Sequence, residues 1–262
     1  SLSRRGPVVR AVVCVKQVGV LSDEVELRAD GLDVDPDYLE RSLNEWDACA
    51  LEEALLLADA CPEGGEVLAV TAGGEEADAV LRRCLAMGAH RARRVELDAS
   101  SRDPLTVAQS LAAALAKEEP DLVLCGVQSS DSVQAATGTM LAELLGIARV
   151  AVVTEITLAD GGGRATVHRE LEGGLVDIVE VDLPALLTIQ TGINEPRYAT
   201  LRAIKQANLK EIDVIAAPSG GEGCYRIEKM FVPDRGGGAE LLGSGAVEVA
   251  RRVAELVAAR LS

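Results

Sequence analysis

The chain has 262 residues and a formal net charge of −16; it is 48% apolar, with five aromatic residues among them. That length suits one large domain or a domain with an appendage, the apolar fraction excludes disorder, and the acidity speaks against nucleic acid, which needs a basic patch. No apolar run nears the roughly 20 residues of a membrane span, and residues 1–10 lack the apolar core of a signal peptide.

In chain order, residues 8–15 (VVRAVVCV) form a near-continuous apolar run, as expected of a parallel strand buried on both faces. Lys16 and Gln17 follow at its carboxyl end, where open α/β sheets place ligand loops. Residues 22–35 alternate weakly around Gly31, as in a small hairpin or excursion. Residues 46–60 carry apolar residues at helical spacing; Asn44 is the expected N-cap, and Asp47 holds the capping-box position. Pro62 to Gly65 should stop this helix. Residues 66–71 read as a second strand and 75–87 as a second helix, with Gly88 as its C-cap. A third strand over 92–97 and a third helix over 104–117 follow.

Residues 122–125 give a fourth strand, closed by Gly126 and a polar loop over 127–136. Met140, Leu141, Leu144 and Leu145 then recur at helical spacing in a helix starting at Thr137. Strand, glycine, polar turn and helix is an arrangement in which backbone N–H groups and a helix amino end face an anion; the alternative is a simple strand-to-helix turn. Thr137 or Ser132 is the expected cap.

Alternating strands and helices predict βαβ units and a doubly wound, mainly parallel sheet covered on both faces. The pattern then changes. Runs over 150–158, 165–172 and 175–181, separated by glycine turns, read as an antiparallel section at the sheet edge. Another apolar run follows over 186–190, then a turn-rich loop over 194–198, a short helix over 201–208 and a short strand over 212–216. The expected division is an α/β domain over 1–217 and a C-terminal extension over 218–262. The extension ends in an amphipathic helix over 245–261, with Val249, Val253, Leu256 and Val257 on one face.

Other signals carry plainer readings. Residues 219–223 (SGGEG) lack the Asp-Ser and following helix of a pyrophosphatase phosphate loop and read as linker. The Gly243-Ser244-Gly245 break is not GxGxxG. Glu52-Glu53 and Glu75-Glu76 read as solvated helix faces. The six cysteines, Cys14, Cys49, Cys61, Cys84, Cys125 and Cys224, form no CxxC pair and read as reduced core residues of a cytoplasmic protein. His90 and His168 stand too far apart to support a zinc site. No general base or nucleophile stands in a recognisable context, so the chemistry is that of a binding domain.

Five ordered segments carry a resemblance along most of the chain. These are Val15-Lys16-Gln17; Asn44 with Ala50-Leu51-Glu52-Glu53-Ala54; Leu85-Ala86-Met87-Gly88-Ala89; Asp121 to Gly126 with Gln128 and Asp131; and Arg169 to Gly174 running through Leu183-Pro184-Ala185 to Asn194-Glu195-Pro196-Arg197-Tyr198. The sequence resembles the β subunits of electron transfer flavoproteins, a family with a HUP-like, adenine-nucleotide-binding α/β fold.

The resemblance implies a heterodimer with an α subunit that holds most of the contacts to FAD. It implies electron passage from dehydrogenases such as acyl-CoA dehydrogenases to a quinone oxidoreductase, with no catalytic residue in this chain. It also implies AMP bound by Cys14, Asn44, Glu45, Trp46, Asp47, Ala72, Gly126, Val127, Gln128, Ser129, Asp131, Gln134, Ala135, Ala136 and Thr137. Phosphate would lie before the Thr137 helix, Cys14 and Ala72 would read the adenine edge, and Asn44 or Asp47 would contact adenine or ribose. Ala135-Ala136 stand where AMP-type members commonly have Asn-Gln, but Thr137-Gly138 is retained, which favours AMP over the second FAD of electron-bifurcating members. A stand-alone ATP-binding domain is the other alternative. Residues 190–197 correspond to the family's recognition loop, with Ile193 as the apolar anchor and Asn194, Glu195, Pro196 and Arg197 beside it. The C-terminal helix is expected to pack on the α subunit.

Overall fold

The structure, a computed structural model, describes residues 9–21, 25–61, 64–98, 103–159, 162–218, 223–233, 242–243 and 245–261. The expected start of the first strand at Val8, the stop at Pro62-Glu63, most of the linker over 219–223, Gly161 and Ser244 lie outside the described residues.

The sheet core opens with β1 (Val9–Cys14), then a ribbon of β2 (Gln17–Leu21) paired antiparallel with β3 (Leu39–Leu43). Of the expected excursion at residues 22–35, residues 22–24 lie outside the described residues, and 25–35 form the end of this ribbon: Leu27 bridges Val34, and the chain reverses at Gly31 with φ +66°. The helix α1 (Glu45–Ala60) leads to β4 (Gly65–Gly73), and α2 (Asp78–Met87) to β5 (Arg91–Glu96). The expected helix start at Glu75 is instead a 3-10 turn, Glu75–Ala77, which hands over to α2. Gly88 does close α2, at φ +131° and with its N–H on Cys84 O, a conformation that other residues rarely adopt. Next come α3 (Pro104–Leu115), β6 (Leu122–Gly126) and α4 (Thr137–Leu145).

The antiparallel section is β7 (Ala148–Leu158), β8 (Arg164–Glu170) and β9 (Val176–Asp182), followed by β10 (Ala185–Ile189), α5 (Leu201–Ala207), β11 (Asp213–Ala216) and the terminal α6 (Ala246–Leu261). The strand order is β11-β5-β4-β1-β6-β10-β7-β8-β9, parallel except for the β7-β8 and β8-β9 pairs. The fold is therefore α/β, a mainly parallel sheet with helices on both faces and an antiparallel edge.

Side chains alternate across each strand, so the continuous apolar runs feed two cores. Val13, Val67 and Leu124 face α1 and α2 through Ala50, Leu51 and Leu81. Val12, Val70 and Val123 face α3 and α4 through Leu111 and Leu141. Each fully buried leucine, Leu51 and Leu81 among them, contributes about 1.5–3 kcal/mol relative to leaving it in water. Where β7 passes from parallel to antiparallel pairing it bulges: the register shifts between Leu187 and Ile189, and Val152 takes φ +60° with its N–H on Thr188 Oγ1 at 3.1 Å. A β-branched residue at positive φ is costly; here the Thr188 hydroxyl, 4% exposed, satisfies the displaced amide.

From β1 the chain winds outward to β4 and β5, then crosses back to β6 on the other side of β1. The carboxyl ends of β1 and β6 thus form the topological switch point, the position at which open α/β sheets hold ligands.

Candidate functional site at the carboxyl edge

Asp47 closes this switch point. Its carboxylate accepts the Lys16 N–H at 2.8 Å and the Gly126 N–H at 2.7 Å, joining the ends of β1 and β6 to the first turn of α1. Burial pushes its carboxyl up to about 6, against the amides of Gly126 and Lys16, the Asn44 side chain and the Lys16 charge, all of which lower it. Asn44 is 1% exposed; its Nδ2 donates to Gln128 O at 2.8 Å, and its Oδ1 accepts the Ser130 N–H at 3.3 Å. Asn44 does occupy the N-cap position of α1, yet it makes no side-chain capping bond. The expected capping box is absent because both of its side chains hold the loop after β6 instead.

That loop carries the polar constellation. Lys16 Nζ donates to Ser129 Oγ at 3.0 Å, Asp131 Oδ1 at 2.6 Å and Ser132 Oγ at 3.1 Å. Burial raises the Asp131 carboxyl, but Lys16 and Ser129 outweigh it and hold the group below the usual carboxylate range. Val133 and Ala135 then take φ of +51° and +50°; strain of this kind in non-glycine residues collects at functional sites. The N-cap of α4 is Ala136, with no side-chain cap, rather than Thr137 or Ser132. Thr137 is already helical, and Ser132 is drawn to Lys16 and Ser129. The first N–H groups of an uncapped helix point outward without partners in the helix. Gly138 lets this helix end lie against the sheet: a Cβ there would stand 2.7 Å from Cys125 Sγ and 2.9 Å from Thr188 Cγ2.

Cys14 and Cys125 are direct partners in the β1-β6 pairing, and both are buried. Burial, then the Asp47 charge, pushes the Cys14 thiol up to about 12, so it is a neutral packing group. With Ala72, partly buried against the same core, they form a small apolar wall. Trp46 Nε1 donates to Gln190 Oε1 at 3.0 Å, linking this edge to the loop after β10, while Glu45 is exposed.

That second loop is fixed to α1. Asn194 Nδ2 donates to Cys49 O at 3.0 Å and Glu53 Oε2 at 2.9 Å; Arg197 grips Glu52 through Nε at 2.9 Å and Nη2 at 3.0 Å. Glu52 and Glu53 are 4% and 8% exposed. They are therefore not the expected solvated face, because the loop covers them. Ile193 is partly buried against the core, Glu195 is exposed, and Pro196 is half-buried; Tyr198, just beyond, is 92% exposed.

The structure thus gathers Cys14, Asn44, Asp47, Gly126, Val127, Gln128, Ser129 and Asp131 at one edge, with Ala72 on the next strand and Gln134 to Thr137 leading into α4. Lys16, placed by the sequence at a ligand-loop position but not assigned to the site, and Ser132, expected only as a helix cap, belong with them. The signal for Lys16 was its place directly after a buried parallel strand. Outward-facing amides at a helix end beside an apolar wall are groups of the kind that suit an anion-bearing ligand. Among the described residues, no cluster of three or more His, Cys, Asp or Glu is placed to hold a metal ion, and no helix is long and apolar enough to cross a membrane.

Fold and site together define a mainly parallel α/β protein with a polar constellation at the topological switch point of its sheet. The profile of the family described as "Electron transfer flavoprotein domain" matches residues 32–219. The chain is 41% identical over 237 residues to an "Electron transfer flavoprotein subunit beta" of Methylophilus methylotrophus, covering 87% of this chain and 90% of the relative. Similarity to proteins of the same name is 33% for Syntrophomonas wolfei, over 88% of this chain and 89% of the relative, and 37% for Bos taurus, over 79% and 81%. The chain belongs to the electron transfer flavoprotein family, on the side of its β subunits.

Proposed function

We propose that this chain is the β subunit of a heterodimeric electron transfer flavoprotein, pairing with an α subunit and holding AMP in the crevice at the carboxyl edge. FAD, bound mainly by the α subunit, supplies the redox chemistry, carrying electrons from acyl-CoA or related dehydrogenases to a quinone oxidoreductase. The chain's own residues bind, orient and dock. The uncapped amino end of α4 offers donors to phosphate, the Lys16 ammonium holds the loop beside it through Ser129, Asp131 and Ser132, and Cys14, Ala72 and Cys125 offer an apolar wall to the base. Asn44 and Asp47 act one step back, by holding the loop ends. Residues 190–197, fixed on α1 by Asn194 and Arg197, present Ile193 to a dehydrogenase.

The observation that supports this reading most is the convergence on Asp47, which ties the ends of β1 and β6 together at the switch point. The test is to co-express the chain with its α subunit, denature the purified complex and quantify the released nucleotides. One FAD and one AMP per heterodimer are expected. Two FAD and no AMP would make this an electron-bifurcating type with NADH as donor, and ATP or an empty crevice would overturn the reading of the loop after β6.

A further inference from the structure

The segment after β11 does not simply leave the domain. Residues 223–233 return across the carboxyl edge of the sheet, touching its connections at Asp103 and Gln134 and the end of the β2-β3 ribbon at Gly31. Asp103, 7% exposed, caps α3 by accepting the Thr106 N–H at 2.8 Å. Its other carboxylate oxygen accepts the Cys224 N–H at 2.7 Å, and the Tyr225 amide adds a further hydrogen bond. Gly223 passes so near that a Cβ there would stand 3.1 Å from Asp103 Cγ. Gln134 Nε2 donates to the Tyr225 hydroxyl in the loop after β6, and Met230 N donates to Gly31 O at 2.8 Å at the ribbon end.

Two footholds lie in the connections that follow β5 and β6, and the third is in the turn between β2 and β3. In the sheet, β4 and β1 stand between β5 and β6, so a segment that touches both connections crosses the edge where the crevice opens. We propose that residues 223–230 are a strap over the nucleotide crevice, with Tyr225 forming part of its wall and the Tyr225–Gln134 bond serving as its latch. This rests on the reading that the crevice holds an adenine nucleotide. The strap is fastened chiefly by main-chain hydrogen bonds and buries little apolar surface: Tyr225 is 41% exposed, and Phe231 and Val232 beyond it are 72% and 59% exposed. A segment held in this way opens at low cost relative to the sheet beneath it. Nucleotide retention is then set by the latches, and Tyr225 is a positioning residue of the site.

The test uses the α/β heterodimer loaded with radiolabelled AMP and chased with excess unlabelled AMP. Tyr225→Phe removes the hydroxyl that accepts from Gln134, and Met230→Pro removes the N–H given to Gly31; neither change reaches the sheet core. One net hydrogen bond corresponds to roughly a two- to tenfold change in an equilibrium or rate. Each variant should release AMP about two- to tenfold faster, with FAD content unchanged. A wild-type complex that holds AMP, while both variants release it at the wild-type rate, would overturn the strap alone. A wild-type complex that binds no AMP would overturn the crevice reading and the strap with it.

Discussion

Arg197 and Glu52, 145 residues apart, form a bidentate ion pair in which the glutamate side chain is buried and the arginine side chain half-buried. The main-chain N–H of Arg197 adds a third bond to the same carboxylate at 3.1 Å. The pair fixes the loop after β10 to α1 and so determines where Ile193 stands.

Arg197→Ala should leave Glu52 buried without its cation. Hydrogen bonds to a charged group contribute about 1.5–3 kcal/mol, and a loss of that size should appear in urea unfolding. Reduction by the donor dehydrogenase should slow in Arg197→Ala and in Ile193→Ala alike, with FAD content unchanged. A loss of flavin in Ile193→Ala would contradict the assignment of this loop to partner docking.

Asp47 gives stability a distinctive pH dependence. Its folded carboxyl is raised to about 6 from 3.8, so between these values the folded chain binds more protons than the unfolded one. Its contribution therefore falls as pH rises through that window and is level above it. A shift of about two units corresponds to about 3 kcal/mol. The stability of the wild type minus that of Asp47→Asn should fall by most of that amount, roughly 2 kcal/mol, between pH 4 and pH 7, measured by denaturant titration. A difference independent of pH would refute the raised carboxyl.

Gly126 is required for packing, which differs from the close approach of a ligand that the strand-glycine-loop pattern suggests. A Cβ there would stand 2.4 Å from Trp46 Cβ and 2.7 Å from Asp47 Oδ1. Gly126→Ala should destabilise the ligand-free chain by about 1–3 kcal/mol, in the range of overpacked cores. A drop in nucleotide content without any loss of ligand-free stability would point back to the ligand.

The cysteines should separate cleanly by reactivity. Burial pushes the thiols of Cys14 and Cys84 up to about 12 and that of Cys125 well above its usual value, whereas Cys224 is exposed. Thiolate is the reactive form. Maleimide at pH 8 should label Cys224 in the native chain, and Cys14, Cys84 and Cys125 only after unfolding, as read by peptide mass mapping.

Much of this architecture is legible in the chain itself. The runs VRAVVC and LVLCG announce strands buried on both faces, and Gly88 announces the end of α2, because these signals are local. Glu52 and Glu53 mislead because periodicity describes one helix and says nothing of a loop more than 130 residues later that covers it. Asn44 misleads likewise: the cap position is local, but the partners of its side chain, Gln128 and Ser130, are not. The ribbon of β2 and β3 escapes notice because only Val18 and Leu43 in it are buried, leaving little alternation to read. Val152 offers no glycine to mark its bulge. Tyr225 sits in a Gly-rich stretch that reads as linker.

The strand β10 has a consequence for how the protein is made. Its five residues, none more than 4% exposed, lie between β6 and β7 and, among the described residues, are the one strand that joins the parallel half of the sheet to the antiparallel meander. A ribosome that has delivered everything through β9 has released two bare edges, β6 and β7, and has yet to deliver the segment that closes them. Unpaired apolar edges recruit other strands. Synthesis therefore passes through a stretch in which the nascent chain is most exposed to misassembly, and it ends once residue 189 clears the exit tunnel.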